Sequence, residues 1–165
     1  MDLIVTGNGE ARWGQQVFRF ALGRAGIVAT KREGDGATPA GRFAMRHLLY
    51  RPDRLEPPET GLAFLPLFPA DGWCDDPADA LYNRPVHLPY PAHHEALWRP
   101  DDVYDLILVL GYNDDPVRPG LGSAVFLHVA RPDYGPTQGC VALAKSDLLT
   151  LLSSAGPGDQ VEVRL

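Results

Sequence analysis

The sequence predicts a mainly β domain with one clear helix, and three observations carry that prediction. Apolar residues fall in short alternating or β-branched runs, the pattern of strands rather than of long amphipathic helices. Glycine and proline are abundant, 17 and 16 of 165 residues, which favours turns and irregular connections. A single segment near the C-terminus, Ser146 to Gly156, has the start, apolar face and stop of a helix.

Taken in order, Leu3 to Val5 and Val17 to Leu22 are short runs separated by Gly-Asn-Gly and Trp-Gly, an antiparallel beginning of two or three strands. Gly23 to Gly41 is rich in glycine and charge and reads as a loop feeding a strand from Arg42 to Leu48. Residues 51–103 hold most of the prolines and no sustained period, so short strands in irregular structure are expected, anchored by Trp73, Tyr82, Tyr90 and Trp98. Within this stretch His93 to Trp98 is expected to form one or two turns of helix ended by Pro100. Asp105 to Leu110 and Ser123 to Ala130 are nearly continuous apolar runs, suited to neighbouring strands buried on both faces. Ser146 is the expected N-cap of the helix, Asp147 suits its positive end, and Leu148, Leu149, Leu151 and Leu152 form its apolar face before Gly156-Pro157. Gln160 to Leu165 alternates with period two and predicts a last strand with Val161, Val163 and Leu165 inward.

The length predicts one domain, residues 1–165, with a core large enough to fold without staples. Apolar residues at 45% and charged residues at 22% match an ordinary globular protein. A net charge of −6 argues against a nucleic-acid partner, which calls for a clustered basic face. No run approaches the roughly 20 apolar residues of a membrane span. The first residues carry no basic segment and apolar run of an export signal, so the expectation is a cytoplasmic protein unless a signal lies outside this chain. Cys74 and Cys140 are read as thiols, because a secreted disulfide scaffold usually carries more cysteines.

The chemistry concentrates in residues 126–143, FLHVARPDYGPTQGCVAL. His128 ends an apolar run and Cys140 follows Gly139 in a short turn, the pairing a thiol nucleophile and its base require. In an extended strand Phe126 and His128 share a face, so the imidazole projects where a returning segment can meet it. A thiol near its reference pKa of about 8.5 is mostly protonated at neutral pH and needs such a neighbour. Gly139 lets a substrate carbonyl and backbone amides approach closely, and amides near Cys140 are candidates for an oxyanion hole. Thr137 is placed to hold the turn. On spacing alone, a buried structural cysteine and a satisfied core histidine account for the same two residues.

Residues 126–143 resemble the signature of the YkuD-type L,D-transpeptidase family, in which a strand histidine is followed by Ser or Thr, His, then Gly-Cys, a hydrophobic residue, and usually Asn or Arg. The upstream GDGATPAGRF, residues 34–43, is similar to the Thr-Pro-x-Gly-x-Phe segment of the same enzymes. The resemblance implies that Cys140 is the acylated nucleophile, His128 the general base, Gly139 the glycine whose carbonyl helps orient that histidine, and Thr137 the Ser/Thr of the motif. It also implies a β-sandwich of mixed and antiparallel sheets with the helix after the nucleophile. Gln138 stands where many members have His, Ala142 stands where they have Asn or Arg, and the His-to-Cys interval is shorter than usual in the family.

The implied reaction is two-step acyl transfer. Cys140 attacks a peptidoglycan tetrapeptide stem at the bond before its terminal D-Ala, and an amine or water resolves the thioester, with no metal or organic cofactor required. A peptidoglycan substrate would place the protein in the cell envelope or periplasm. Thr137, Gln138, Arg131, Tyr112 and Arg84 are the expected substrate contacts; Arg131, Arg84 or Arg42 would supply the guanidinium that pairs with a carboxylate. Tyr112 heads a turn-forming segment beyond a buried strand, which turn chemistry alone also explains. Trp73 and Asn83 read either as pocket residues or as loop anchors. A metal cluster of His87, His93, His94, Asp75 and Asp76 lacks ligand spacing, and a solvated loop is the better reading. An intracellular cysteine peptidase or amidase, and a non-catalytic peptidoglycan-binding relative, are the alternative functions.

Overall fold

The computed structural model describes residues 1–165. In chain order the strands are β1 (Asp2–Thr6), β2 (Glu10–Trp13), β3 (Gln16–Ala21), β4 (Ile27–Val28), β5 (Thr38–Pro39), β6 (Gly41–Tyr50), β7 (Phe64–Pro66), β8 (Asp71–Cys74), β9 (Pro85–His87), β10 (His94–Ala96), β11 (Leu106–Leu110), β12 (Phe126–Val129) and β13 (Val141–Leu143). Helix α1 (Lys145–Leu152) and strand β14 (Gln160–Arg164) complete the chain. The protein is mainly β with one short helix directly after β13, as the sequence predicts.

The principal sheet runs β11-β12-β13-β3-β2-β1-β14-β6-β7, and β11 also pairs with β6. That extra pairing closes eight strands into a barrel and leaves β7 as an added edge. The sheet is mixed: β1 with β14 and β12 with β13 are parallel, while the other pairs around the barrel are antiparallel. A separate three-stranded sheet, β10-β8-β9, is built from the proline-rich middle segment.

Two apolar cores explain the unbroken runs in the sequence. Side chains alternate across a strand, so Leu106, Leu108 and Leu110 of β11 join a 25-residue core while Ile107 and Val109 join a second core of 11 residues. The same alternation sends Leu127 and Val129 into the larger core and Phe126 into the smaller. Trp73 on β8 meets Phe126 edge-on at 5.0 Å between ring centroids, so the small sheet covers the outer face of β11 and β12.

Several local expectations are corrected. His94–Ala96 is a strand rather than a helical turn, because Glu95 pairs with Trp73 in the antiparallel ladder of β8 and β10. Only Phe126–Val129 of the Ser123–Ala130 run is strand; Ala124 adopts φ +51°, which takes the preceding residues out of extended geometry. The helix begins at Lys145 with Ala144 as its cap residue and no side-chain cap bond, so Ser146 lies inside it. Leu148, Leu151 and Leu152 are buried in the larger core, whereas Leu149 is only partly covered. Val161 and Val163 face inward, but Leu165 lies beyond the ladder of β14 and is 80% exposed.

Candidate active site

The register of β12 against β13 brings Cys140 and His128 together. These strands are parallel, with Leu127 opposite Val141 and His128 opposite Ala142. One step earlier along the ladder, Cys140 lies beside Phe126, and its Sγ receives the Phe126 N–H at 3.4 Å. Phe126 and His128 share a face, as do Cys140 and Ala142, so Cys140 and His128 are diagonal neighbours on the outer face. Both line one groove of about 550 Å³, with His128 6% and Cys140 8% exposed.

The turn before the cysteine is fixed from several sides. Thr137 Oγ1 donates to Cys140 O at 2.7 Å and receives the Gly139 N–H at 3.1 Å. Thr137 is also tied by its backbone to Leu22 and Arg24, at 2.8 and 2.9 Å. Gly139 has φ +134°, and a Cβ there would sit 2.7 Å from Ala37 O, so only glycine fits. Ala37 belongs to the loop before β5, which is held by the buried Lys31 ammonium donating to Ala37 O and Asp35 Oδ1, both at 2.8 Å. Thr38 of the Thr-Pro segment is fully buried and its Oγ1 accepts the Gly23 N–H at 2.9 Å. The upstream motif therefore serves the cysteine turn by packing beneath it.

His128 Nδ1 lies 2.9 Å from Val129 O. A carbonyl only accepts, so Nδ1 carries the proton and Nε2 keeps its lone pair for a base role. The carbonyl that orients the imidazole is thus Val129's, in place of the Gly139 carbonyl that the resemblance implied. Burial lowers the His128 pKa to about 4, and burial raises the Cys140 thiol to about 12, with the nearby Glu95 carboxylate adding to the rise. The resting pair is therefore neutral thiol and neutral imidazole. The thiol proton is directed at Ala124 O, 3.1 Å from Sγ.

The groove assembles some of the expected contacts and omits others. Thr137, Gln138 and Arg131 line it with Cys140 and His128. Arg131 is exposed and donates to Pro136 O at 3.3 Å. Tyr112 and Arg84 instead line a second cavity of about 230 Å³, where Arg84 donates to Asp114 O at 2.7 Å. Arg42 is committed to surface ion pairs with Asp2 and Glu162. Asp75, His93 and His94 also line the groove, whereas sequence reasoning missed four of its charged residues. Arg24 and Arg99 add positive charge, while Glu33 and Glu95 add carboxylates. Burial raises the Glu95 pKa; the side chain accepts from Tyr104, whose ring meets His128 edge-on at 5.3 Å. None of these four lies near Cys140 in sequence, and only folding of the middle segment over the barrel brings Glu95 and Arg99 to it. No group of three or more His, Cys, Asp and Glu side chains is arranged to hold a metal ion; His93 pairs with Asp75 at the surface.

Comparison with known families gives the chain its family. The family model described as "L,D-transpeptidase catalytic domain", YkuD, matches residues 3–163. The chain belongs to the YkuD L,D-transpeptidase family. Neither a comparison with curated proteins nor one with solved structures returned a match. The matched span takes in every barrel strand and both sequence motifs, so this YkuD domain is the barrel together with its groove.

Proposed function

We propose that the protein is a cysteine acyltransferase that processes peptidoglycan stem peptides through a thioester on Cys140. The observation that carries the reading is the placement of Cys140 and His128 on one face, in one groove, with His128 Nε2 unencumbered. Family membership supports the substrate class.

Substrate binding displaces water from the groove and presents the carbonyl before the terminal D-Ala to Sγ. His128 Nε2 takes the thiol proton as the S–C bond forms, so the thiolate is generated only during attack. Backbone amides of the cysteine turn stabilise the tetrahedral oxyanion. The protonated His128 then delivers its proton to the departing D-Ala amine, leaving the thioester. An amine from a second stem, or water, attacks that thioester and restores the thiol. Arg24 and Arg131 at the groove wall are suited to the terminal carboxylate of the donor.

The test incubates the protein with tetrapeptide muropeptides, with and without added D-amino acid, and follows products and protein mass by mass spectrometry. Release of D-Ala with a transient acyl-enzyme is the expected result. Absence of both, alongside an active family member under the same conditions, refutes the proposal.

A further inference from the structure

The proton acceptor of the resting thiol is itself built with care. Ala124 O, 3.1 Å from Cys140 Sγ, belongs to a residue held at φ +51°, a conformation non-glycine residues seldom adopt. The contact that holds it comes from Asn83, in the loop between β8 and β9. Asn83 is 4% exposed and itself left-handed at φ +55°. Its Oδ1 accepts the Ala124 N–H at 3.0 Å and the Trp73 Nε1–H at 2.9 Å. Its Nδ2 donates to Tyr112 O at 3.1 Å and Asn113 O at 2.7 Å. Both lone pairs and both protons of the amide are thus used, which fixes its orientation. Next to it, Tyr82 Oη accepts the Gly122 N–H at 3.0 Å and donates to Glu33 at 2.8 Å. Consecutive side chains of the loop therefore brace alternate amides, 122 and 124, of the segment leading into β12.

We propose that Asn83 is a positioning residue for Cys140: by holding the Ala124 N–H it fixes the backbone of the residue whose own carbonyl faces Sγ, keeping the thiol protonated and seated until substrate arrives. This rests on Cys140 being the nucleophile. A carbonyl oxygen accepts from S–H and repels thiolate, so the brace stabilises the neutral thiol. The same seat keeps Sγ beside Phe126 N–H and diagonal to His128. Trp73 links the brace to the smaller core through its edge contact with Phe126. The other titratable or charged groups facing the thiol are His128 on β12, Glu95 on β10, Tyr104 before β11 and Lys31 from the loop beneath Gly139.

The predicted signature has two opposite signs. In Asn83→Ala the backbone at Ala124 loses its anchor and can turn, so acyl transfer falls about tenfold or more while alkylation of Cys140 at neutral pH becomes several times faster. The thiol's alkylation profile moves toward lower pH. Tyr82→Phe removes only one oxygen of the brace; it moves both readings the same way by a smaller factor, and it carries the test if Asn83→Ala does not fold. Alkylation is followed by mass spectrometry on peptides that separate Cys140 from Cys74. A folded variant with an unmoved alkylation profile overturns the inference, as does a parallel fall of both rates. Failure of the underlying reading looks different: native protein forms no acyl-enzyme, whatever the alkylation profiles do.

Discussion

Strands β11, β12 and β13 present two faces that differ by a one-residue step and do opposite jobs. The inner face, with Leu106, Leu108, Leu127, Val129, Val141 and Leu143, is closed hydrocarbon. The outer face interleaves Ile107 and Phe126 with His128 and Cys140 and opens on the groove. Apolar burial on one side holds the backbone, and the other side uses that rigidity to keep two polar groups in register while depriving both of water. The cost is visible in their ionisation, with the imidazole driven down and the thiol driven up.

Substitutions separate the faces. Cys140→Ala and His128→Ala are each expected to reduce turnover about a thousandfold or more with the fold retained, read by steady-state kinetics and circular dichroism; activity surviving Cys140→Ala would identify a different nucleophile. Leu127→Ala or Leu143→Ala, one step away on the inner face, should instead cost about 2–5 kcal/mol in denaturant unfolding. A loss under 1 kcal/mol would mean the barrel interior is not the stabilising face.

The pH dependence probes the desolvated outer face. With a native His128 pKa of about 4, the unfolded chain takes up a proton below its ordinary value of 6.5 and the native chain does not. Stability therefore falls as pH drops from about 6.5 to 4, by about 3 kcal/mol for this group. His128→Gln should flatten the unfolding free energy over that window relative to native protein; an unchanged slope would place the imidazole in water. The Cys140 thiol acts in the opposite range, since the unfolded chain loses its proton first and stability falls as pH rises from 9 toward 12.

Smaller effects sharpen the boundary. Gly139→Ala forces a Cβ against Ala37 O at positive φ and should cost about 1–3 kcal/mol, with activity falling by more than the stability loss alone would produce. Arg42→Ala, far from both faces in exposed ion pairs, should change stability by less than about 0.5 kcal/mol and leave KM unaltered.

The two faces also explain what could be read from the chain. The Leu106–Leu110 run announced a strand buried on both sides because every residue is apolar, and the Thr-Pro-x-Gly-x-Phe and Thr-x-Gly-Cys segments located the turn and what lies beneath it. Residues 94–96 misled because three residues carry too little period to separate a strand from a helical turn, and pairing with β8 decided the matter. Leu165 alternates with Val161 and Val163 but has no partner to cover it. Glu95 and Arg99 reach the groove through the placement of the middle segment, a long-range event that leaves no local mark in composition.

The parallel pairing of β12 with β13 has a further consequence. Because β13 begins directly after Cys140, the ladder and the Thr137–Gly139 turn together set where Cys140 stands relative to His128, and the stretch 130–136 contributes contacts but not alignment. Residues added or removed within 130–136 are expected to reshape the groove's wall while Cys140 and His128 keep their places. A short interval between histidine and cysteine is therefore compatible with this register, and variation in the groove has a segment to work on that leaves the paired strands untouched.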